Sequence, residues 1–426
     1  MLLAYYGDDF TGSTDVLETL ALAGLTADLC VSVPAVAERV TGAGAAGLQA
    51  LGIAGQSRTA SPAELDTTLP EAFAALAAGR PRFLHYKICS TFDSSPEIGS
   101  IGRAIEIGRR VLPARWTPVV VAAPHLGRWS AFGNLFARSG LDSPAYRLDR
   151  HPTMSQHPVT PMDEADLRLV LGKQTDLPVS LIDLPTLDAG VETAWAAITG
   201  SPAGVVLFDA TTEAHLATIG RLLDRLAQDE NQPLFIAGSS GVERALLGAG
   251  LLSGEVHAPQ APASLPPGPV LVISGSRSPV TARQIDAAVA AGFQHVAITP
   301  TEDKPAVAAA ITCAITAHDA GRSVIVQAAT GDLPHAAVAD LGRILGWIAG
   351  RILEGCGFRR VVIAGGDTSG DVARQLGIAS LRFAASLAPG APWCCVQSDR
   401  PEVDGVLFAF KGGQVGRDDF LVGTSA

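Results

Sequence analysis

The chain is short of positive charge: 31 Lys and Arg stand against 42 Asp and Glu, a formal net charge of −11 over 426 residues. Electrostatic binding of nucleic acid needs a basic face, so that class of function is disfavoured. An anionic small substrate remains compatible, because a local basic pocket can sit within an acidic protein. No stretch reaches the uninterrupted apolar length of a membrane span. The first residues also lack a basic region ahead of an apolar core, and Asp8 and Asp9 break the run. These absences predict a cytoplasmic protein with no signal peptide and no membrane partner. Six cysteines show no CxxC spacing, and the adjacent Cys394 and Cys395 suit neither a zinc knuckle nor a disulfide. Mostly buried free thiols in a reducing compartment are expected. No GxxxxGK[ST] occurs, which excludes a P-loop enzyme. Gly238-Ser-Ser-Gly241 is not a GxSxG elbow and has no His or acid tied to it in sequence. His151 and His157, separated by prolines, match no closed zinc spacing, so no metal-ligating set is predicted.

What is present is a folded, turn-rich chain. Hydrophobic residues make up 47%, with 45 Gly and 28 Pro, and the length suffices for two cores. The opening stretch organises the rest. Leu2 to Tyr6 reads as a buried strand and Val16 to Ala23 as a helix, with Ser13, Thr14 and Asp15 as candidate N-caps. Asp8 and Asp9 therefore sit where a strand gives way to a helix, the place where open α/β sheets bind ligands. Further strands deliver polar groups in the same way: Arg58 after Leu48–Ile53, then Ser90, Thr91 and Asp93 after the strand that ends in Lys87. Val119 to Ala123 leads to Arg128. The segment from Arg147 to Asp166 has no period but carries Arg150, His151 and His157, and long irregular segments are commonly functional. A formal GxGxxG at Gly42 to Gly47 lacks the strand before it and the helix after it, and reads as a loop.

Ala258 to Pro269, APQAPASLPPGP, reads as a stiff linker. It divides an N-terminal substrate domain (1–257) from a C-terminal nucleotide domain (270–426). Beyond it, three strands each open into a small-residue loop: Ser276 and Ser278, Gly365-Gly366-Asp367-Thr368-Ser369, and Gly412-Gly413. Glycine admits a phosphate close to the backbone, and a helix N-terminus favours an anion. The expected fold is α/β with two domains. Each is a mostly parallel sheet flanked by helices, with the active site in the cleft between them.

The motifs Gly7-Asp-Asp-Phe-Thr-Gly12 with Asp15, Lys87…Ser90-Thr91, Gly275-Ser-Arg-Ser-Pro279…Thr281, Gly365-Gly-Asp-Thr-Ser-Gly370 and Lys411-Gly-Gly-Gln414 resemble the four-carbon acid sugar kinase family, in order and over essentially the whole chain. The resemblance implies an ATP-dependent kinase of a small sugar acid, acting with Mg²⁺. Asp8 or Asp9, Arg58 and the Ser90–Asp93 loop would contact the acid. Ser276, Gly366 to Ser369 and Gly413 would contact ATP. The chain departs from the commoner family pattern at Cys89 to Ser94, where the middle motif usually carries an Arg. It departs again at Asp367, in place of Glu, and in the Asp149–Met162 segment. Those departures are similar to the branch acting on 3-oxo-isoapionate, a branched five-carbon keto acid; a four-carbon acid such as 3-oxo-tetronate, threonate or erythronate is the alternative. In the expected mechanism Asp9, or failing it Asp8, accepts the hydroxyl proton. Arg58, with Lys87 or Arg150, holds the carboxylate, and domain closure across the linker excludes water. A non-catalytic sugar-acid binder is the remote alternative, and a homo-oligomer stays open.

Overall fold

A computed structural model describes residues 1–42, 47–140, 143–157, 159–229, 232–252, 265, 268–299, 304–328 and 341–424. Most of the expected linker, and the centre of the Gly42 loop, lie outside the described residues. The chain groups into two compact units, one of residues 1–8, 22–26 and 36–256, the other of residues 9–21, 27–35 and 257–426. The chain thus passes from the first unit to the second between Asp8 and Asp9.

The strands in chain order begin with β1 (Leu3–Gly7), β2 (Ala27–Cys30), β3 (Ala50–Ala54), β4 (Phe83–Lys87) and β5 (Trp116–Val120). A small antiparallel sheet follows, β6 (Arg128–Ala131), β7 (Asn134–Arg138) and β8 (Ala145–Arg147), then β9 (Val179–Ile182), β10 (Gly204–Phe208) and β11 (Leu234–Gly238). In the first unit the order is β3-β1-β4-β11-β5-β10-β9, all parallel. β1, β3, β4, β5, β10 and β11 are buried at every residue, as a parallel sheet covered on both faces requires. Gly7 and Gly238 both stand in register with Lys87, so β1, β4 and β11 finish level and release their loops at one edge. Two glycines on and after β3 make room for aromatic rings: a Cβ on Gly52 would fall 2.2 Å from the Tyr5 ring, and one on Gly55 2.2 Å from Tyr6.

The second unit holds β12 (Val270–Ser274), β13 (Gln294–Ile298), β14 (Val324–Ala328), β15 (Arg360–Ala364), β16 (Ile378–Ala388), β17 (Ala391–Ser398) and β18 (Leu407–Lys411). Its order is β13-β14-β12-β15-β18-β17-β16-β2; the first five are parallel and the last three antiparallel. The β16–β17 hairpin is a departure from the repeating strand–loop–helix pattern. Its outer strand recruits β2, and Arg382 forks onto Asp28 at 2.6 and 3.0 Å. The helix Phe10–Leu22 is held in this unit too. The Phe10 ring lies 4.5 Å from that of Phe410, and Glu18, whose carboxyl is pushed upward by burial, accepts the Gly390 amide at 3.1 Å. That helix starts at Phe10 rather than Val16, so Ser13, Thr14 and Asp15 lie inside it and are not its caps. Asp9 fills that place: its Oδ1 accepts the Gly12 amide at 2.7 Å and its carbonyl accepts the Ser13 amide at 3.2 Å.

Candidate functional site

At the edge where β1, β3 and β4 end, Asp8 is fixed by its backbone and side chain together. Its amide donates to the Lys87 carbonyl at 2.8 Å, and its own carbonyl accepts the Arg58 amide at 3.1 Å. The Arg58 guanidinium then grips the carboxylate in a two-pronged fork, Nε to Oδ2 at 3.1 Å and Nη2 to Oδ1 at 2.7 Å. Arg58 and Asp8 were expected to meet substrate separately, and the structure binds them to each other. Tyr86 supports the turn that carries Arg58. Its hydroxyl pairs with Ser57 Oγ at 3.0 Å, and burial, aided by the Asp8 charge, drives its ionisation far above the usual phenol range.

Lys87 is 5% exposed, and its ammonium makes a single hydrogen bond among the described residues, 3.3 Å to the carbonyl of Ile88. A buried cation with so little compensation is costly unless an anion joins it. The loop after Lys87 is wound tightly. Phe92, fully buried, adopts a left-handed φ of 59°, a conformation that concentrates at functional sites. Thr91 Oγ1 donates to Asp93 Oδ1, and Cys89 Sγ lies 2.9 Å from Thr91 Oγ1. Burial, reinforced by the Asp93 charge, pushes the Cys89 thiol up, so it stays protonated. Ser90 is half-buried beside them. Arg128 gives Nη1 to the carbonyls of Leu126, Gly127 and Arg138, while its buried Nε has no partner among the described residues. Burial lowers its pKa, and the Cys89 and Asp93 charges oppose that shift.

The irregular segment behaves differently. Arg150 is exposed, with no hydrogen bond to Asp8, Arg58 or Lys87, while its neighbour Asp149 is held by Arg147 at 2.7 Å. His151 Nδ1 accepts the amides of Thr153 and Met154, and His157 Nδ1 accepts that of Thr160. Both imidazoles therefore brace the loop's own backbone. The loop Gly238–Gly241, which has no acid or His tied to it in sequence, has both in space: His85 Nε2 is 3.0 Å from the Gly238 carbonyl and His85 Nδ1 is 2.6 Å from Glu243 Oε1.

In the second unit the three small-residue loops meet. A Cβ on Gly275 would fall 2.4 Å from Thr368 Oγ1, and one on Gly365 2.9 Å from the same atom. One on Gly413 would fall 2.9 Å from Ser278 Cβ and 3.0 Å from Ser276 Oγ. Gly365, with φ 131°, lies in the region that disfavours any side chain. Gly366 to Ser369 form the first turn of the helix Gly366–Gln375 instead of a free loop, and the Ser369 hydroxyl turns back onto the Gly365 carbonyl at 2.7 Å. Ser278 caps the helix Pro279–Ala290. Ser276 Oγ donates to Thr281 Oγ1 at 3.1 Å, which in turn donates to the Gly413 carbonyl at 3.0 Å. Lys411, absent from the list of ATP contacts inferred from the sequence, also donates to Thr281 Oγ1 at 3.0 Å. It is fully buried, and desolvation pulls its pKa down to about 8. The helix that Asp9 caps comes alongside: a Cβ on Gly412 would sit 3.6 Å from Thr11, whose buried hydroxyl has no partner among the described residues.

Residues 3–246 match a family model described as a sugar-binding N-terminal domain, and residues 271–421 one described as a nucleotide-binding C-terminal domain. The chain is 44% identical to a 3-oxo-isoapionate kinase of Paraburkholderia graminis, over 99% of this chain and 93% of that protein. It is 33% identical to a 3-oxo-tetronate kinase of Pseudomonas savastanoi pv. phaseolicola, over 99% and 96%. A crystal structure from Salmonella typhimurium LT2 superposes with a TM-score of 0.79 at 25% identity, covering 100% of this chain and 98% of that one. Haemophilus influenzae protein HI1011 shares the fold with a TM-score of 0.72, over 99% and 98% of the two chains. The fold and the paired domains define a two-domain kinase of sugar acids, and a nucleotide-binding domain in such a kinase implies ATP use. The chain belongs to the four-carbon acid sugar kinase family.

Proposed function

We propose that this enzyme phosphorylates a hydroxyl of 3-oxo-isoapionate, with ATP as donor. The identity of 44% to a kinase of that substrate supports the choice of acid. The observation that carries the chemistry is the meeting of three loops around Ser276, Thr368 and Gly413, where glycines stand at positions a Cβ would close. Phosphates can approach the glycine backbone there closely, and Lys411 adds positive potential beneath them. Asp367 to Ser369 would complete that cradle by their backbone.

The acid is bound by residues 1–257 and the nucleotide by residues 270–426 on this reading. Lys87 takes the substrate carboxylate, with Ser90, Thr91 and Asp93 meeting hydroxyls. Arg58 acts through Asp8 and holds it in place. Because Asp8 is committed to that fork, Asp9 is the better carboxylate to receive the substrate proton, oriented by the Gly12 amide. No group of three His, Cys, Asp or Glu able to hold a metal occurs among the described residues. Mg²⁺ would accompany ATP and would supply charge neutralisation at the phosphates. No helix among the described residues is long and apolar enough to cross a membrane.

The second reading, a kinase of 3-oxo-tetronate or another four-carbon acid, is favoured by the relative at 33% identity. ADP release from Mg-ATP against 3-oxo-isoapionate, 3-oxo-tetronates, threonates and erythronate separates the two. Turnover confined to a four-carbon acid would replace the first reading by the second. Silence across the panel, with ATP failing to raise the melting temperature, would refute both.

A further inference from the structure

His85 and Glu243 are both wholly buried and lie 158 residues apart in sequence, yet they make a 2.6 Å contact. Their protons follow from the geometry. A carbonyl only accepts, so His85 Nε2, 3.0 Å from the Gly238 oxygen, carries one. A second proton lies between Nδ1 and Glu243 Oε1. The pair is thus net neutral, whichever atom holds that second proton, and Glu243 Oε2 is left buried without a hydrogen-bond partner among the described residues. Such a pair adds little net stability over apolar side chains of equal volume. What it adds is direction: the Gly238 carbonyl is pinned between the imidazole and the Ile88 amide, which donates to it at 2.8 Å.

That carbonyl lies where two strands become loops. β4 becomes the 88–93 loop, and β11 becomes the turn into the helix Gly241–Gly248. Lys87 is two residues from His85, on the same face of β4, and stands in register with Gly238. Ser240, 3% exposed, opens the helix, and neither its amide nor its hydroxyl has a hydrogen-bond partner among the described residues. Gly241 is obligatory there, since a Cβ would fall 2.0 Å from the Ala122 carbonyl. One corner of the edge therefore presents a buried, nearly uncompensated ammonium and an unpaired Ser.

We propose that His85 and Glu243 are positioning residues for an anion subsite formed by Lys87 Nζ and Ser240, which receives the carboxylate of the acid. The assignment deepens the function proposed above and rests on it. The test uses Glu243→Gln and the apolar double variant His85→Leu/Glu243→Met in the full chain. KM for the acid rises at least tenfold in both, KM for ATP stays within twofold, and the melting temperature of the double variant stays near that of the wild type. Hydrogen exchange at the Ile88 amide quickens at least tenfold in the double variant, while exchange in β10 is unchanged. A well-folded double variant with normal KM for the acid would overturn the proposal, leaving the pair a packing element. Unchanged protection at Ile88 would overturn it as well. If the wild type phosphorylates no acid of the panel, the proposed function fails, and the exchange result still decides whether the pair fixes the carbonyl.

Discussion

Replacing Lys411 by Met should make the protein more stable at neutral pH. Lys411 is fully buried, has one hydroxyl partner, Thr281, and has its pKa lowered from 10.5 to about 8 by desolvation. Below pH 8 it is charged in both folded and unfolded states, and only the folded state bears the desolvation cost. Between the folded value and 10.5 the unfolded chain binds more protons, so wild-type stability climbs with pH across that window. At about 1.4 kcal/mol per pKa unit the shift corresponds to about 3 kcal/mol. Met fills a similar volume but forfeits the bond to Thr281, about 1 kcal/mol, leaving a net gain of about 2 kcal/mol at pH 7. Urea denaturation of both proteins at half-unit steps from pH 6.5 to 10.5 reads the difference directly. The gap is widest below pH 8 and closes, then reverses slightly, by pH 10.5. A gap of constant size, or a variant weaker than wild type at pH 7, would refute the argument that this charge is buried with little compensation. The same variant should bind ATP less tightly, because the potential beneath the phosphate loops is gone.

Other outcomes follow from the same geometry. Asp9→Asn keeps a helix-capping oxygen and should alter stability by no more than about 1 kcal/mol, yet it should lower kcat by about a hundredfold or more as a lost general base; near-normal turnover would pass the role to Asp8. Asp8→Asn leaves the Arg58 fork without its charge. Because the Arg58 side chain is 26% exposed, the expected loss is about 2 kcal/mol, below that for a fully buried pair. A loss under about 0.5 kcal/mol in denaturant would show that solvent already pairs Arg58. Gly413→Ala drives a methyl to 2.9 Å from Ser278 Cβ and should raise KM for ATP about tenfold while sparing KM for the acid; an equal rise in both would misplace the nucleotide site.

Much of the fold was readable because its strands are continuous apolar runs that end in polar loops. β1, β3 and β4 fall close to where those runs predict them. The early onset of the first helix was not readable. Thr11, Gly12 and Ser13 favour a loop by propensity, and only the Asp9 cap and the packing of Phe10 on Phe410 carry the helix back to Phe10. Nor was the β16–β17 hairpin, whose Ala, Ser and Pro residues show no steady alternation. At the site, Lys87 and Arg58 stand out because each sits at or just after a strand end. The side-chain pairings do not. Asp8 is 50 residues from Arg58, and Glu243 lies 158 from His85, so only the parallel register brings them together. Arg150 stands apart from them: it is exposed, in a loop whose histidines brace the loop's own backbone.

The recruitment of β2 by β16 also sets a timetable for synthesis. Asp28 leaves the ribosome 354 residues before the Arg382 that grips it. At roughly 5 to 20 residues per second, that partner arrives roughly 20 to 70 s later. Until then the Ala27–Cys30 segment and the helix before it have no place in their own unit, although residues on either side of them can already fold. A fragment beginning after the proline-rich segment would meet the converse problem, since β16 would keep a long open edge suited to pairing with a second chain. The two halves of this kinase are therefore poor candidates for separate expression, and a nascent chain stalled before the hairpin is the species a chaperone would hold.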